Sequence, residues 1–387
     1  MKLFNKIKSK YQLVSSLKYI RFSTLTRPMI AVKPLETRIA SHKINIGDDF
    51  LLRVQECYKR ATKDYQSNTK SMWHDLEDKN ADFIAALLSD SPEKLRNYAE
   101  NLYSGNLLMG MGHVQGFIHG KKTIYPKKYF SLRIIDATLL LAEALGVNSL
   151  PSNQQTSWDN YIRYMNQDLS EIISEVENIL GYQISTKEIG CPPVAEIGDR
   201  LFNPDFIRHA YIMHRIEQIG IDKDANILEI GGGYGCVAYF ANLKGYKNYH
   251  IIDLPYVNAI QMLFLGAALG PNNVSGYGEE KSSIQLIPSN EKMNILKKSF
   301  DLALNMDSLP EIAEEEAIQY MQLIERTSKC LISINQEAQK IYKNMGEQNL
   351  VRNLVRVNAP SLKLSSRQKY WMEQGYAEEI YQNTSRK

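Results

Sequence analysis

The sequence predicts an α/β protein with a doubly wound, mainly parallel sheet, preceded by a mainly helical N-terminal domain. Two observations support this fold class. Residues 226–255 read NILEIGGGYGCVAYFANLKGYKNYHIIDLP, which is the strand, glycine turn, helix and strand order of a βαβ unit. From there to residue 381, short apolar runs alternate with segments of helical periodicity, whereas helical periodicity dominates residues 34–165.

Three parts follow from these patterns: a basic segment (1–33), a helical domain (34–190) and the α/β domain (191–387). A proline-containing linker opens the α/β domain, and Asn203 is expected to cap a helix that begins at Pro204. The predicted helices cover residues 50–65, 81–103, 132–145, 168–180, 205–218 and 255–269. The strands predicted after the βαβ unit are residues 284–287, 299–306, 330–334, 350–357 and 376–381.

The glycine turn of the βαβ unit predicts a ligand site. A right-handed crossover makes the two strands of the unit parallel and places the turn at their carboxyl edge, where open α/β sheets bind ligands. Glycine at these positions allows a tight turn whose backbone approaches a ligand closely. The turn contains Gly231, Gly232, Gly233 and Gly235.

The residues around this turn favour a methyl donor over a dinucleotide. The dinucleotide pattern G-x-G-x-x-G lacks its third glycine, because Cys236 occupies that position. Glu229, which ends the first strand, would repel a pyrophosphate, whereas the cationic methionine end of S-adenosylmethionine tolerates a carboxylate. Asp253, which ends the second strand, is placed to bind ribose hydroxyls, although it could instead cap the helix that follows. The predicted cofactor-binding residues are Glu229, Gly231, Gly233, Tyr234, Gly235, Asp253 and Asn305.

An ordered set of motifs resembles the sugar O-methyltransferase family of bacterial surface-polysaccharide gene clusters. The resemblance covers roughly residues 165–381 and is much more specific than the glycine turn alone. The motifs are FNPDFIRHAYIMHRI (202–216), ILEIGGGYG (227–235), IIDLP (251–255), LGPNNVSGYGE (269–279), LNMDSLPEI (304–312), ISINQE (332–337) and MEQGYAEEIY (372–381).

The resemblance implies a Rossmann-like class I methyltransferase domain with six parallel strands and an antiparallel seventh. It also implies S-adenosylmethionine as cofactor and a hydroxyl of a sugar or glycan precursor as methyl acceptor. Two alternatives from other classes stay open at this point. One is an NAD(P)-dependent oxidoreductase, and the other is a non-catalytic, donor-binding scaffold in glycan assembly.

Two residues are candidates for a catalytic base. A sugar hydroxyl is a poor nucleophile until its proton is removed, so a positioned base is expected. Asp307, at the end of the strand 299–306, is the first candidate, and His209 is the second. Asp307 could instead be a structural cap. Arg208 and His209, both in the predicted helix 205–218, could face the substrate, or they could pair with acids on the helix surface. Ser308 and Glu311 match a capping box for the helix that follows.

The charge distribution predicts little affinity for nucleic acid. The net charge is only +3, but residues 1–33 contain lysines and arginines and no acid. This segment could contact the inner face of an anionic membrane, be a solvated tail, or be a mitochondrial presequence. No apolar run reaches the ~18 residues of a membrane span, so we expect a cytoplasmic protein.

The cysteines and histidines predict no metal site. The four cysteines form no CxxC pair, which suits a reducing compartment and gives no zinc pattern. We expect Cys236 to pack behind the glycine turn. Residues 105–128 form a glycine-rich loop or lid, and its His113 and His119 are expected to be polar loop residues and not ligands. No carboxylate cluster has the spacing of metal ligands.

Overall fold

The computed structural model describes residues 25–27, 29, 32–41, 46–68, 72–111, 125–152, 154–338, 341–342 and 346–386. Most of the basic segment 1–33 and part of the predicted loop 105–128, including His113 and His119, lie outside the described residues.

Strands and helices alternate through the second half of the described chain. In chain order the strands are β1 (Thr37–Ile39), β2 (Pro193–Ile197), β3 (Arg200–Phe202), β4 (Ile227–Ile230), β5 (Tyr249–Asp253), β6 (Val274–Ser275), β7 (Ile284–Pro288), β8 (Phe300–Met306), β9 (Ser328–Gln336), β10 (Ile341–Tyr342), β11 (Gly346–Glu347), β12 (Leu362–Lys369) and β13 (Tyr376–Asn383). The helices are α1 (Asp48–Thr62), α2 (Met72–Lys79), α3 (Ala81–Leu88), α4 (Pro92–Glu100), α5 (Tyr125–Ala144), α6 (Trp158–Met165), α7 (Leu169–Leu180), α8 (Pro204–Gln218), α9 (Cys236–Leu243), α10 (Pro255–Leu269), α11 (Glu314–Thr327) and α12 (Val351–Asn358).

The main sheet has eight strands in the order β12-β13-β9-β8-β4-β5-β7-β6. Neighbouring strands are parallel except for β13, which is antiparallel to both β9 and β12. Apart from the two-residue edge strand β6, this is the predicted set of six parallel strands and an antiparallel seventh. The predicted fold class is therefore confirmed. The strand order reverses beside β4, whose neighbours are β5 and β8, so the glycine turn after β4 lies at the switch point.

Two hydrophobic cores cover the two faces of the sheet. Because successive side chains of a strand point to opposite faces, Ile227 and Ile251 join a core with α8, α9 and α10. Leu228 and Ile252 join the other core, with α11 and α12. Glu229 has the same parity as Ile227, so its carboxylate faces the side on which the helical N-terminal part packs.

The helical N-terminal part packs directly on the α/β part. α1 contacts α10 and α5 contacts α8. The small sheet β1-β2-β3 joins residues near the start of the helical part to the segment before α8. One hydrophobic core extends through both parts. The boundary predicted between residues 190 and 191 thus lies between two parts of the chain that pack on each other. That these parts are separate domains stays a prediction.

Local signals near α8 are confirmed, whereas one strand prediction is wrong. Asn203 caps α8, because its Oδ1 accepts a hydrogen bond of 2.8 Å from the Asp205 N–H. The predicted strand 350–357 is instead α12. Its buried residues have the helical i, i+3, i+4 spacing: Val351, Leu354 and Val355. Of the helices in the described residues, none is long and apolar enough to cross a membrane.

Candidate cofactor and catalytic site

A cavity of about 210 Å³ lies at the carboxyl edge of the main sheet, beside the switch point at β4. The ends of β4, β5 and β8 supply three of its carboxylates, Glu229, Asp253 and Asp307. A fourth lining carboxylate, Glu316, lies on α11, and α8 supplies His209. Trp73 of α2 lines the cavity from the helical part. The topology thus brings together residues that are far apart in sequence, as the parallel strand arrangement predicts.

The turn after β4 needs glycine for its backbone conformation and for its close contacts. Gly231 has a φ of 71° and Gly233 a φ of 54°, a region that other residues seldom adopt. A Cβ on Gly231 would lie 2.4 Å from Ser308 Oγ, and a Cβ on Gly233 would lie 3.2 Å from the Met111 carbonyl oxygen. Side chains at these two positions would not fit, and both glycines line the cavity. Their role as cofactor-binding residues stays a prediction.

Glu229 is a buried carboxylate in the wall of the cavity. Its exposed fraction is 2%, and its Oε2 accepts a 3.0 Å hydrogen bond from the Tyr249 hydroxyl. Burial raises the pKa of Glu229 to about 8, the Tyr249 hydrogen bond lowers it in part, and the charge of Asp253 raises it further. A cation near Glu229 would favour the ionised carboxylate.

Asp253 is braced against the glycine turn. Its Oδ1 accepts from the Leu254 N–H at 2.9 Å, and its Oδ2 accepts from Gln261 Nε2 at 2.9 Å. The same Gln261 amide donates to the Gly233 carbonyl at 2.8 Å. Burial raises the pKa of Asp253 to about 7, and the donated hydrogen bonds lower it in part. The bonds fix the carboxylate at the cavity, where its remaining lone pairs can accept from hydroxyls.

We expect these raised pKa values to make the protein less stable as the pH rises. Glu229 is protonated in the folded state and ionised in the unfolded state between its ordinary pKa of 4.5 and its folded value of about 8. Folding therefore binds a proton at Glu229 in this pH window. As the pH rises through the window, the stability that comes from this bound proton is lost. As the pH rises from about 5 to about 8, the free energy of unfolding of Glu229→Gln should increase relative to that of the unsubstituted protein. We expect this increase to be at least ~1.4 kcal/mol, the free energy that corresponds to one pKa unit.

Denaturant unfolding at several pH values, in the absence of ligand, measures this gain. The exposed Glu280 gives a matched control, Glu280→Gln, for which no comparable gain is expected. Parallel pH profiles for the unsubstituted protein and Glu229→Gln would contradict the assignment of a raised pKa to Glu229.

Asp307 follows β8 in a strained conformation at the edge of the cavity. Its φ is 60°, a left-handed value that costs a non-glycine residue ~1 kcal/mol or more. The Asp307 N–H donates to the Ile334 carbonyl at 3.0 Å, and the Tyr376 hydroxyl donates to Asp307 Oδ1 at 2.7 Å. Burial and then the charge of Asp307 raise the pKa of Tyr376, so the phenol stays protonated and donates. These bonds hold the carboxylate in a fixed orientation.

His209 and Arg208, adjacent on α8, both line the cavity. Arg208 is 1% exposed and forms an ion pair with the buried Glu373, so the predicted alternative of a surface pair is wrong for Arg208. Burial disfavours the charge of Arg208, but Glu373 and neighbouring groups outweigh it and raise the pKa. His209 lies at the cavity, and its role as a base stays a prediction.

Three further predicted residues lie mainly behind the cavity surface. Tyr234 lines the cavity, but its side chain is 2% exposed and packs edge-on against Phe264 with ring centroids 5.0 Å apart. Gly235 has a φ of 98° and immediately precedes α9, and a Cβ there would lie 3.0 Å from Leu265 Cδ1. Asn305 is 0% exposed and donates to the Ile230 carbonyl at 3.0 Å, so its side chain supports the cavity wall.

The predicted capping box at Ser308 does not form. Ser308 Oγ donates instead to the Ile230 carbonyl at 3.0 Å, and it makes no cap hydrogen bond to the turn Leu309–Glu311. The tight approach of Gly231 to Ser308 explains this, because it places the hydroxyl against the end of β4. Ser308 therefore helps to shape the cavity.

Sequence reasoning missed several residues of this site, namely Tyr249, Gln261, Tyr376 and Trp73. Gln261 had a usable signal, since it is a polar residue in the otherwise apolar stretch AIQMLFLG of α10. Tyr249 and Tyr376 begin their strands, and a tyrosine there is also typical of an ordinary strand. Among the described residues, no group of three or more His, Cys, Asp or Glu side chains could hold a metal ion.

The strand order and the site together define a Rossmann-like class I methyltransferase fold. Its marks are the glycine turn at the switch point, an acid at the end of β5 and the antiparallel strand β13 inserted between β9 and β12.

Comparisons with known proteins add matches to solved structures. No protein-family model and no curated protein sequence matches this chain. An O-methyltransferase family protein from Burkholderia thailandensis is 13% identical, covers 65% of this chain and 95% of its own, and has a TM-score of 0.32. The magnesium protoporphyrin IX methyltransferase from Synechocystis PCC 6803, solved with bound SAM, is 13% identical, covers 45% of this chain and 76% of its own, and has a TM-score of 0.32. At these low scores, the fold assignment rests on the strand order described above.

Proposed function

We propose that this protein is an S-adenosylmethionine-dependent O-methyltransferase that acts on a hydroxyl of a sugar or glycan precursor. The observation that carries the proposal is the position of the buried carboxylate of Glu229 and the half-buried carboxylate of Asp253 beside a glycine turn at the switch point of the sheet. This lining suits a cofactor that combines a ribose with positive charge and carries no phosphate.

The residues present fit this cofactor. The turn at Gly231 and Gly233 has no side chains and can lie against a ligand. Asp253, held by Gln261, can accept hydrogen bonds from ribose hydroxyls, and Glu229 can balance positive charge at the methionine end. When bound, S-adenosylmethionine supplies an electrophilic methyl group on a sulfonium.

Asp307 is the proposed general base. It can take the proton of the acceptor hydroxyl as that oxygen forms its bond to the methyl group. The hydrogen bond from Tyr376 to Oδ1 orients the carboxylate, so that proton removal needs no reorganisation of the base. His209, on the neighbouring wall, is the second candidate for this role. A sugar acceptor is supported by the motif resemblance.

The site disfavours the oxidoreductase alternative. Cys236 stands where the third glycine of a dinucleotide pattern would be. The negative pyrophosphate of NAD would keep the raised pKa of Glu229 high, whereas a cationic ligand would favour its ionised carboxylate. A non-catalytic scaffold that binds the donor would use the same cofactor residues. It differs from an enzyme in having no need of a base at Asp307.

Calorimetric titration tests the cofactor. We expect the protein to bind S-adenosylhomocysteine and not NAD, and Asp253→Ala to weaken this binding about tenfold or more, as for the loss of a hydrogen-bonded charged group. The exposed Asp224, before the amino end of β4, provides the control variant Asp224→Ala, which should bind normally. Binding of NAD in place of S-adenosylhomocysteine would overturn the proposal in favour of an oxidoreductase.

A further inference from the structure

One wall of the cavity comes from the helical N-terminal part of the chain. Within the described part of the chain it includes Trp73 in α2, Gly110 and Met111, and we refer to these three residues as the N-terminal wall. All three line the same cavity as Glu229 and Asp253. The cavity is therefore built from both parts of the chain, and a glycine turn on its own would lack this side.

Close contacts connect the N-terminal wall to the glycine turn. A Cβ on Gly110 would lie 3.2 Å from Cη2 of Trp73, so the edge of the indole lies against the backbone of Gly110. The next residue, Met111, has its carbonyl oxygen 3.2 Å from the position of a Cβ on Gly233. The indole, residues 110–111 and the turn thus form successive layers. Gly110 has a φ of 83°, which permits this path of the backbone.

The chemistry of the other residues that line the cavity indicates which ligand the indole would contact. Asp253 provides acceptors for ribose hydroxyls, and Leu254 and Val257, which follow it, add apolar surface to the same cavity. A nucleoside held by its ribose at Asp253 would need a flat apolar surface for its base. Trp73 is half-buried and lines the cavity, so its ring forms part of the surface that a bound ligand would meet. Stacking of bases on aromatic rings is favourable and tolerates any base, because every base has a π face.

We propose that Trp73 is a cofactor-binding residue that contacts the adenosine part of the bound cofactor. This inference rests on the proposed function, because it requires an adenosine-containing ligand at Asp253. With this contact, the helical part of the chain would belong to the cofactor site, whether or not it also binds the methyl acceptor.

Fluorescence of a single-tryptophan protein tests the contact directly. The chain has three tryptophans, and the other two, Trp158 and Trp371, have exposed fractions of 64% and 43% and do not line the cavity. The double variant Trp158→Phe/Trp371→Phe keeps Trp73 as the reporter. We expect saturable quenching of its emission on titration with S-adenosylhomocysteine. Calorimetric binding without any change in emission would overturn the inference.

Affinity measurements supply an independent test. Trp73→Ala should raise the Kd for S-adenosylhomocysteine about tenfold, and Trp73→Phe should recover most of the loss because it retains an aromatic face. Trp371→Ala is the matched control and should bind normally. A Kd for Trp73→Ala within about twofold of the unsubstituted value would contradict the inference. If Trp73→Ala does not fold, the single-tryptophan titration decides.

The two proposals fail in different ways. If the unsubstituted protein does not bind S-adenosylhomocysteine, the proposed cofactor is wrong. If it binds, but the emission of Trp73 or the affinity of Trp73→Ala does not respond, the cofactor assignment stands and only the role of Trp73 is wrong.

Discussion

Asp307→Asn is expected to abolish most methyl transfer while cofactor binding is retained. The substitution removes the proposed base but keeps an oxygen that can accept the hydrogen bond from Tyr376, so the local structure should persist. A positioned general base contributes ~10²- to 10⁴-fold to rate, and we expect a loss of turnover in this range. Cofactor affinity should change by less than about twofold, because Glu229 and Asp253 remain in place.

Transfer of a radiolabelled methyl group from S-adenosylmethionine to a panel of free and nucleotide-linked sugars measures the turnover, and calorimetry with S-adenosylhomocysteine measures binding. The control Asp224→Asn changes an exposed aspartate at the opposite end of the sheet and should keep full activity. Full activity in Asp307→Asn would show that Asp307 is not the base. His209, the second candidate, would then be tested with the variant His209→Ala. Cofactor binding without turnover of any acceptor by the unsubstituted protein would support the scaffold.

Gly231→Ala is expected to have the largest effect on the cofactor site itself. The new Cβ would lie 2.4 Å from Oγ and 2.5 Å from Cβ of Ser308, and Gly231 has a φ of 71°. Strain and overlap together should destabilise the fold by ~2 to 4 kcal/mol. Displacement of the turn should also weaken binding of S-adenosylhomocysteine by more than about tenfold, a change of ~1.4 kcal/mol in binding free energy.

Gly220→Ala separates the two causes. Gly220 has a similar φ of 79°, but a Cβ there meets nothing within 4 Å. Gly220→Ala should lower the free energy of unfolding by only ~1 kcal/mol, the cost of a non-glycine residue at a positive φ, and should bind the cofactor normally. In Gly231→Ala/Ser308→Gly the overlap is removed, so part of the stability should return. Unfolding curves and calorimetry of the four proteins measure these differences, and equal behaviour of Gly231→Ala and Gly220→Ala would refute the steric explanation.

Local patterns were sufficient for the centre of the fold. The βαβ unit was predictable because its strands, turn and helix each have a periodicity or a glycine pattern that acts over a few residues. The positions of Glu229 and Asp253 at the cavity followed, because the carboxyl ends of parallel strands meet at one edge. Where the local sequence pattern was weak, the predicted secondary structure was wrong. The exposed strand β12 buries only Leu362, so it has no alternating apolar pattern, and the apolar residues of α12 were assigned to a strand.

The sequence by itself determined the α/β class, the glycine turn and the acids at the strand ends, since these depend on short-range sterics and on the alternation of side chains. Only the tertiary structure decided which distant residues complete the site. Tyr376 reaches Asp307 because β13 lies in the main sheet next to β9, and Trp73 reaches the cavity because the helical part packs on the α/β part. Contacts of this kind depend on how whole elements pack, and no local pattern in the sequence encodes them.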